Sequence, residues 1–470
     1  MRLLELLLVI FGVIGLFDII FLRTWNRSVL YFYSGMSALL LILQLLLEKY
    51  RWQMIPAYIL ILFVMLVCIK AAFKPSGKQK KPGLILKILY SILALAYVFT
   101  MVLFPVMLPV FSFENPKPAY VIGSTARYIK DDTRKDEPFS ESSRELMIQI
   151  WYPAVKSGNL QRMSYYPYAG MSEAFAKVAG YPEYFFTNLD LVKTNSFMDA
   201  GISGSQEKYP VLLFSHGYSS NRFDNTSQIE EMVRNGYIVV GIDHTHYSSS
   251  TVFPDGRMTK VDVEDLNNNL SLVDKAANIY IQDAEAIIDR LDSINKDDPL
   301  LAGRLDLEKL GYFGHSLGGA TALRTLIMDD RVKAAINMDG YIAGYAGETV
   351  NKPYMIMMHD PGMDKYSPGS AKEASIKVYN DSIDSFYANS KNAAYIMQIK
   401  KSVHLSFTDI SIQTRVFNLN LTTPKRCFSI INDYTASFFD KYLKNSDDGL
   451  LDGVVSKYPE VVFKSNGYKE

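Results

Sequence analysis

The stretch "GYFGHSLGGA", residues 311–320, sets one serine between glycines: Gly314, Ser316 and Gly318 spell G-x-S-x-G. A serine hydroxyl is a weak nucleophile until a base takes its proton and an acid orients that base. The spacing does this work only where a strand turns sharply into a helix. There the glycines two residues either side relieve crowding, and the helix aims its first amides at a developing oxyanion. Here "KLGYFG" reads as the strand and "GGATALRTLIM" as the amphipathic helix, with Ser316 at the junction.

If the chain runs in the α/β-hydrolase order, acid and then histidine follow the serine. Of six histidines, His216, His244, His246 and His315 precede Ser316, and only His359 and His404 follow it. His359 ends "PYMIMMHD", too early for a base that follows the last core strand. His404 comes after "AAYIMQIKKSV", the last strand-like run before a C-terminal helix, and is the expected base. The other histidines are expected to be structural, with His216, beside Gly217, shaping an oxyanion loop. Two acids compete. Asp339 ends "VKAAINMD" and Asp360 follows the next strand-like run; the usual topology favours Asp360, and either could be a turn former.

These residues need a scaffold. Runs such as "YPVLLFSHG", "GYIVVGIDH" and "PYMIMMHD" alternate with helical patterns at Asn225–Asn235, Leu272–Ile294 and Gly319–Met328. That alternation predicts an α/β fold with a mostly parallel central sheet, whose strand carboxyl ends carry the site. "YVIGSTARYI" and "ELMIQIWYPA" are expected as antiparallel opening strands. Asn267–Asn269 reads as a solvated loop.

Ahead of this lies an apolar region of four segments, about 3–22, 29–47, 54–69 and 84–111. Spans need roughly 20 apolar residues, and most qualify. Pro56 weakens the third, and Pro105 and Pro109 are expected to bend the end of the fourth. Trp25 and Trp52 stand at segment ends, where an indole faces both lipid and water. Glu5 and Asp18 lie near segment ends and are expected to reach the interface. A cleavable signal peptide is not expected, because no small-residue site follows the first segment. The loop with Lys70, Lys74, Lys78, Lys80 and Lys81 is the densest basic loop and points to the cytoplasm, which places the N-terminus and everything after Phe111 outside. The expected organisation is a transmembrane region over 1–112, a linker at "ENPKP", a hydrolase domain over 118–444 and a C-terminal tail over 445–470.

Lys+Arg and Asp+Glu both total 49 in 470 residues, so no charge excess points to nucleic acid. Cys68 and Cys427 are the two cysteines, and Cys68 sits in an apolar run, which argues against a disulfide. No Cys/His spacing suggests zinc; neither a metal nor a cofactor is expected.

Several ordered pieces, "FSHGYSSNR", "NGYIVVGIDH", "DLEKLGYFGHS", "GHSLGGAT", "NMDGY" and "SVHLSFTD", resemble platelet-activating factor acetylhydrolases of the plasma and intracellular isoform II type. The resemblance covers about Pro118 to Lys444. It implies an α/β-hydrolase fold, a calcium-independent serine esterase, and a triad acid on the strand directly after the elbow helix, which is Asp339. It also implies His404 as base and the backbone amides of Leu317 and Tyr218 as the oxyanion hole. The substrate it implies is a phospholipid with a short or oxidised sn-2 acyl chain, met at a lipid bilayer. Two departures stand out. The family has no block of four membrane segments, and the aromatic stretch Tyr165–Phe197 differs from the family's lipid-facing surface. That stretch reads either as an ordinary cap helix packed over the sheet or as an aromatic cap that lines an acyl pocket or touches the bilayer. A general carboxylesterase or cutinase-like polyester hydrolase is the alternative function, and a catalytically silent membrane sensor the second.

Overall fold

The computed structural model describes all residues except 23–25, 74–82, 115–119, 138, 156, 157, 159, 262–269, 343, 365–369, 415–419 and 467–470. Asn267–Asn269, Trp25 and Lys74 to Lys81 therefore lie outside the described residues. The chain divides into two compact units, 1–111 with 184–192, and 112–183 with 193–470.

The first unit is helical: α1 Leu3–Phe17, α2 Arg27–Leu43, α3 Ile55–Ala72 and α4 Leu84–Met107. Among the described residues, these four helices with their flanking turns are long and apolar enough to cross a membrane by length and composition. Pro56 does not weaken α3. It sits in the first turn, where its missing N–H costs nothing. Pro105 lies inside α4, which stops at Met107, earlier than the sequence pattern suggested. Leu8, Leu30, Leu60, Ile61, Val64 and Met101 form this unit's core.

Polar groups gather at one end of the bundle. The Arg51 guanidinium donates to both Glu5 carboxylate oxygens at 3.1 and 3.2 Å and to the Leu108 carbonyl at 2.5 Å. Glu48 accepts from the backbone amides of Leu4 and Glu5. The start of α1, the α2–α3 connection and the end of α4 thus meet at the same end, as four helices running alternately up and down require. Glu5 is fully buried by this pairing and does not reach outward as the sequence suggested, and Asp18 is also buried. Segment 184–192 closes over this end, with Phe185 and Tyr184 packed on Trp52 at 5.8 and 5.4 Å.

The second unit contains the strands β1 Val121–Lys135, β2 Ser143–Ala154, β3 Arg162–Ser164, β4 Lys193–Met198, β5 Tyr209–Ser215, β6 Ile238–Asp243, β7 Ser250–Val252, β8 Met258–Lys260, β9 Leu305–His315, β10 Val332–Met338, β11 Tyr354–Met358, β12 Ala394–Ile399 and β13 Val461–Ser465. Its helices are α5 Met171–Val178, α6 Thr226–Arg234, α7 Leu270–Asp297, α8 Leu317–Met328, α9 Ala371–Ala388, α10 Ser411–Thr414 and α11 Pro424–Lys444. Eleven strands form one sheet in the order β13-β12-β11-β10-β9-β5-β6-β2-β1-β4-β3, and β7 pairs β8 separately. The six strands from β12 to β6 are parallel to their neighbours. β1 and β2 pair antiparallel, and β2 joins β6 antiparallel. The parallel strands are almost wholly buried, as strands covered on both faces must be.

The segment after Lys444 is not a tail. Tyr458 is buried against Tyr434, Arg426 pairs with Glu460 at 2.8 Å, and β13 extends the sheet antiparallel to β12. Its alternating burial, with Val461 inside, is the half-buried pattern of an edge strand.

Candidate active site

The site stands at the carboxyl ends of β5, β9, β10, β11 and β12, where parallel α/β sheets bind ligands. β9 ends at His315 and α8 begins at Leu317, so Ser316 alone makes the turn, with φ 53° and ψ −123°. A non-glycine residue with positive φ is strained and is held only by its surroundings. Here the Ser316 N–H donates to the Met338 carbonyl at 2.8 Å, and the Ser316 carbonyl accepts from Gly319 and Ala320 at 2.9 and 3.0 Å. The flanking glycines are obligatory. A Cβ on Gly318 would lie 2.1 Å from the Ser215 carbonyl oxygen, and one on Gly314 would lie 2.4 Å from the backbone of Gly318.

Asp339 follows β10 on a turn with φ 62°. Asn337 builds that turn, accepting from the Gly340 amide at 2.6 Å and donating to its carbonyl at 2.9 Å. His404 follows β12, and its Nδ1–H donates to Asp339 Oδ2 at 2.6 Å. The carboxylate is buried, while the imidazole is about half exposed (46 %). With Nδ1 committed to Asp339, Nε2 is the nitrogen left for proton transfer. Ser316, Leu317, Tyr218, Asp339 and His404 line one cavity of about 900 Å³.

Asp360 lies elsewhere in the hydrogen-bond pattern. Its carboxylate accepts the backbone N–H of Gly362 at 3.0 Å and of Lys401 at 2.8 Å. It ties the end of β11 to the loop that carries His404. That is the turn-forming role the sequence left open for it.

Tyr218 sits beside the elbow. Next to it, a Cβ on Gly217 would lie 3.1 Å from Ser316 Cβ. Tyr218 and Leu317 pack in one apolar cluster with Tyr247 and Tyr280. His216 shapes this loop. Its Nδ1–H donates to the Gly217 carbonyl at 2.7 Å, while Nε2 accepts from Ser248 Oγ at 2.7 Å and the His244 amide at 3.2 Å. Burial pushes its imidazole well below the usual range, so this neutral tautomer persists.

Below the loop a second serine–histidine–aspartate set occurs. Ser215 Oγ is 2.8 Å from His244 Nε2, and His244 Nδ1 is 3.0 Å from Asp283. All three are completely buried, so no substrate reaches them. Asp283 also binds Arg144 at 2.8 Å. Burial works to raise the Asp283 carboxyl, and Arg144 and His244 outweigh it and hold the group ionised.

Sequence reasoning passed over His359. The structure brings it onto the same acid: Nδ1 lies 2.9 and 2.8 Å from the two Asp339 oxygens, and its backbone N–H donates to Oδ1 at 2.9 Å. Its Nε2 lies 3.0 Å from Asp364. The available signal was the pair of acids, Asp360 and Asp364, just past a strand's carboxyl end. Burial disfavours the His359 cation, but Asp339 and then Asp364 outweigh it and raise the imidazole to about 9. Burial likewise works to raise Asp339, and the bonds from His359 and His404 hold it well below the carboxylate range. The donor atoms of Asp339, His359 and His404 lie within 4.8 Å of one another, close enough to suggest a metal. Their direct contacts of 2.6–2.9 Å leave no room for an ion between them and are those of a proton-sharing network.

Among the described residues, the aromatic stretch Tyr165–Phe197 contributes nothing to the cavity lining. Tyr165 and Tyr166 stack at 4.8 Å and are buried, bonded to Asp224. The cavity lining gives the acyl-pocket reading of this stretch no support. The walls come instead from α7, α8, α9 and the loop after β10, with Ile281, Tyr341, Tyr345 and Tyr379.

The sheet order, the elbow and the position of Ser316 define the fold as that of an α/β-hydrolase. The description platelet-activating factor acetylhydrolase, isoform II, matches residues 132–297 and 281–456, and the chain belongs to that family. It is 26 % identical over 283 residues to a probable 1-alkyl-2-acetylglycerophosphocholine esterase of Arthroderma benhamiae, covering 55 % of this chain and 67 % of that one. It is 26 % identical over 279 residues to the platelet-activating factor acetylhydrolase of Cavia porcellus, covering 53 % and 62 %. The chain thus spans about two thirds of the length of these relatives. A ferulic acid esterase from Streptomyces cinnamoneus superimposes with a TM-score of 0.61 at 23 % identity, over 76 % of this chain and 99 % of that one; that likeness is one of fold.

Proposed function

We propose that the chain is a membrane-anchored serine esterase that hydrolyses the short or oxidised sn-2 acyl ester of phospholipids. The observation that carries this reading is the strained Ser316 elbow sharing a cavity with a His404 already bonded to buried Asp339. His404 Nε2 takes the Ser316 proton as Oγ attacks the ester carbonyl. Asp339 fixes the tautomer and stabilises the imidazolium. The amides of Leu317 and Tyr218 receive the oxyanion, each donor contributing roughly 3 kcal/mol. The imidazolium then protonates the departing alcohol, and water, activated by the same histidine, cleaves acyl-Ser316. The names of the matched relatives support the phospholipid class. A cavity of about 900 Å³ has room for a chain longer than acetyl. Four apolar helices support the anchor, with the hydrolase unit on the extracytoplasmic side, opposite the lysine-rich loop.

The test is a serine-reactive fluorophosphonate probe on the full chain in detergent, followed by turnover of phospholipids graded in sn-2 length. Labelling of wild type but not of Ser316→Ala, with short sn-2 chains preferred, is expected. Labelling without phospholipid turnover, alongside turnover of soluble esters, would favour a general carboxylesterase.

A further inference from the structure

A triad carboxylate ordinarily serves one histidine. Asp339 serves two, and the second imidazole is placed between two acids. Asp339 and Asp364 both present carboxylate oxygens, and His359 meets both by donating from Nδ1 and Nε2 together, as the imidazolium does. The charge has no competing use nearby. From the β9 end, His315 packs on His404 at 4.6 Å and is kept neutral by burial and by His404, its imidazole pushed down to about 3. From α9, the buried Tyr379 phenol is held protonated by burial and by Asp339. Asp274 of α7 lines the same cavity. Asp360 faces the Gly362 and Lys401 amides, and Arg324 of α8 pairs with Glu348. The His404 ring stands 6.5 Å from that of His359, turned by 82°.

We propose that His359 is a positioning residue for the reaction: clamped between Asp339 and Asp364, it locks the triad carboxylate against His404 and keeps a fixed positive charge beside the base. With two imidazole donors and a backbone amide on its oxygens, Asp339 cannot rotate away from His404. His359 itself transfers no proton, since both its nitrogens are committed. The cation beside the base opposes a second positive charge on the neighbouring imidazole. At 6.5 Å and an effective dielectric near 20, a unit charge moves a neighbour's titration by about two pH units, and solvent around the half-exposed His404 ring screens that to about one.

This rests on the proposed roles of Ser316, Asp339 and His404, and the experiment separates the two. The rate of fluorophosphonate labelling of the full-length protein in detergent is followed from pH 5 to 9 in wild type, His359→Gln and His359→Arg. Glutamine keeps a donor to Asp339 without the charge; arginine keeps a charge able to meet both carboxylates. In His359→Gln the acid limb should move up by about one unit, so that labelling on that limb slows about tenfold relative to the plateau. In His359→Arg the limb should return toward wild type. If glutamine lowers the rate evenly at every pH, or arginine shifts the limb as glutamine does, His359 is merely structural and the proposal fails. If glutamine does not fold, the arginine variant decides: a limb displaced from wild type overturns the charge role. If wild type itself is not labelled, the triad assignment has failed instead.

Discussion

Replacing Asp339 by asparagine should cost far more activity than replacing Asp360. Asp339 Oδ2 accepts the Nδ1–H of His404 at 2.6 Å. An amide NH₂ in that place cannot accept; one turned to offer its oxygen must give up what Oδ1 accepts, the His359 backbone N–H above all. The imidazole then favours the tautomer with its proton on Nε2, which cannot take a proton from Ser316. In a serine protease this substitution lowers kcat about 10⁴-fold, or about 5 to 6 kcal/mol of barrier. Asp360 only accepts two backbone amides. An asparagine keeps one acceptor oxygen there, so the loss is about 1 kcal/mol of loop stability, and activity should stay within about fivefold to tenfold. The assay is kcat/KM on a soluble aryl ester and on a 2-acetyl phospholipid, with thermal unfolding as the folding check. If Asp360→Asn proved the more damaged of the two folded variants, or Asp339→Asn kept more than a tenth of wild-type kcat, the geometric argument for the acid would be refuted.

Ser316→Ala and His404→Ala should each lower kcat by several orders of magnitude while the protein still folds; more than about a hundredth of wild-type activity in Ser316→Ala would rule out the serine mechanism. Activity should survive EDTA and calcium chelators if Ser316, His404 and Asp339 supply the nucleophile as proposed; loss restored by calcium would point to another mechanism. His359, raised to about 9 from an ordinary 6.5, adds stability that is fully present below pH 6.5 and lost as pH rises through about 9. That amounts to roughly 3 kcal/mol, and a thermal unfolding series should show it in wild type and not in His359→Gln. A protease added to intact cells should remove the hydrolase unit and spare the lysine-rich loop; protection until permeabilisation would place the enzyme on the inner leaflet.

Much of the fold was legible because its signals are local. The apolar runs of β5, β6, β9 and β10, the helical periods of α6, α7 and α8, and the glycines around Ser316 each follow from steric or burial rules acting within about ten residues. What escaped depends on chain segments far apart. Asp339 and Asp360 are both acids beyond a strand's carboxyl end, and only the turn built by Asn337 and Gly340 aims one of them at His404. The edge strand β13 was missed because its apolar run, Val461 to Phe463, is only three residues long and its partner lies some sixty residues away in sequence. Glu5 was read as an interfacial residue because its partner, Arg51, comes from another helix connection.

The two serine–histidine–aspartate sets show why residue types alone cannot assign the chemistry. Ser215, His244 and Asp283 meet the same kind of distances as a triad, 2.8 and 3.0 Å. What differs is the position of each serine on its strand. Ser215 is the last residue of β5, in regular extended geometry under the oxyanion loop, and its carbonyl is the group against which Gly318 packs. Ser316 is one residue past the end of β9, thrown into the cavity by its positive φ. The first set therefore spends its hydrogen bonds on its own members and on the buried Tyr312 and Arg144. The second leaves a hydroxyl and an imidazole nitrogen facing open volume. In this fold the strain at one residue separates a fully buried set from one that opens onto the cavity.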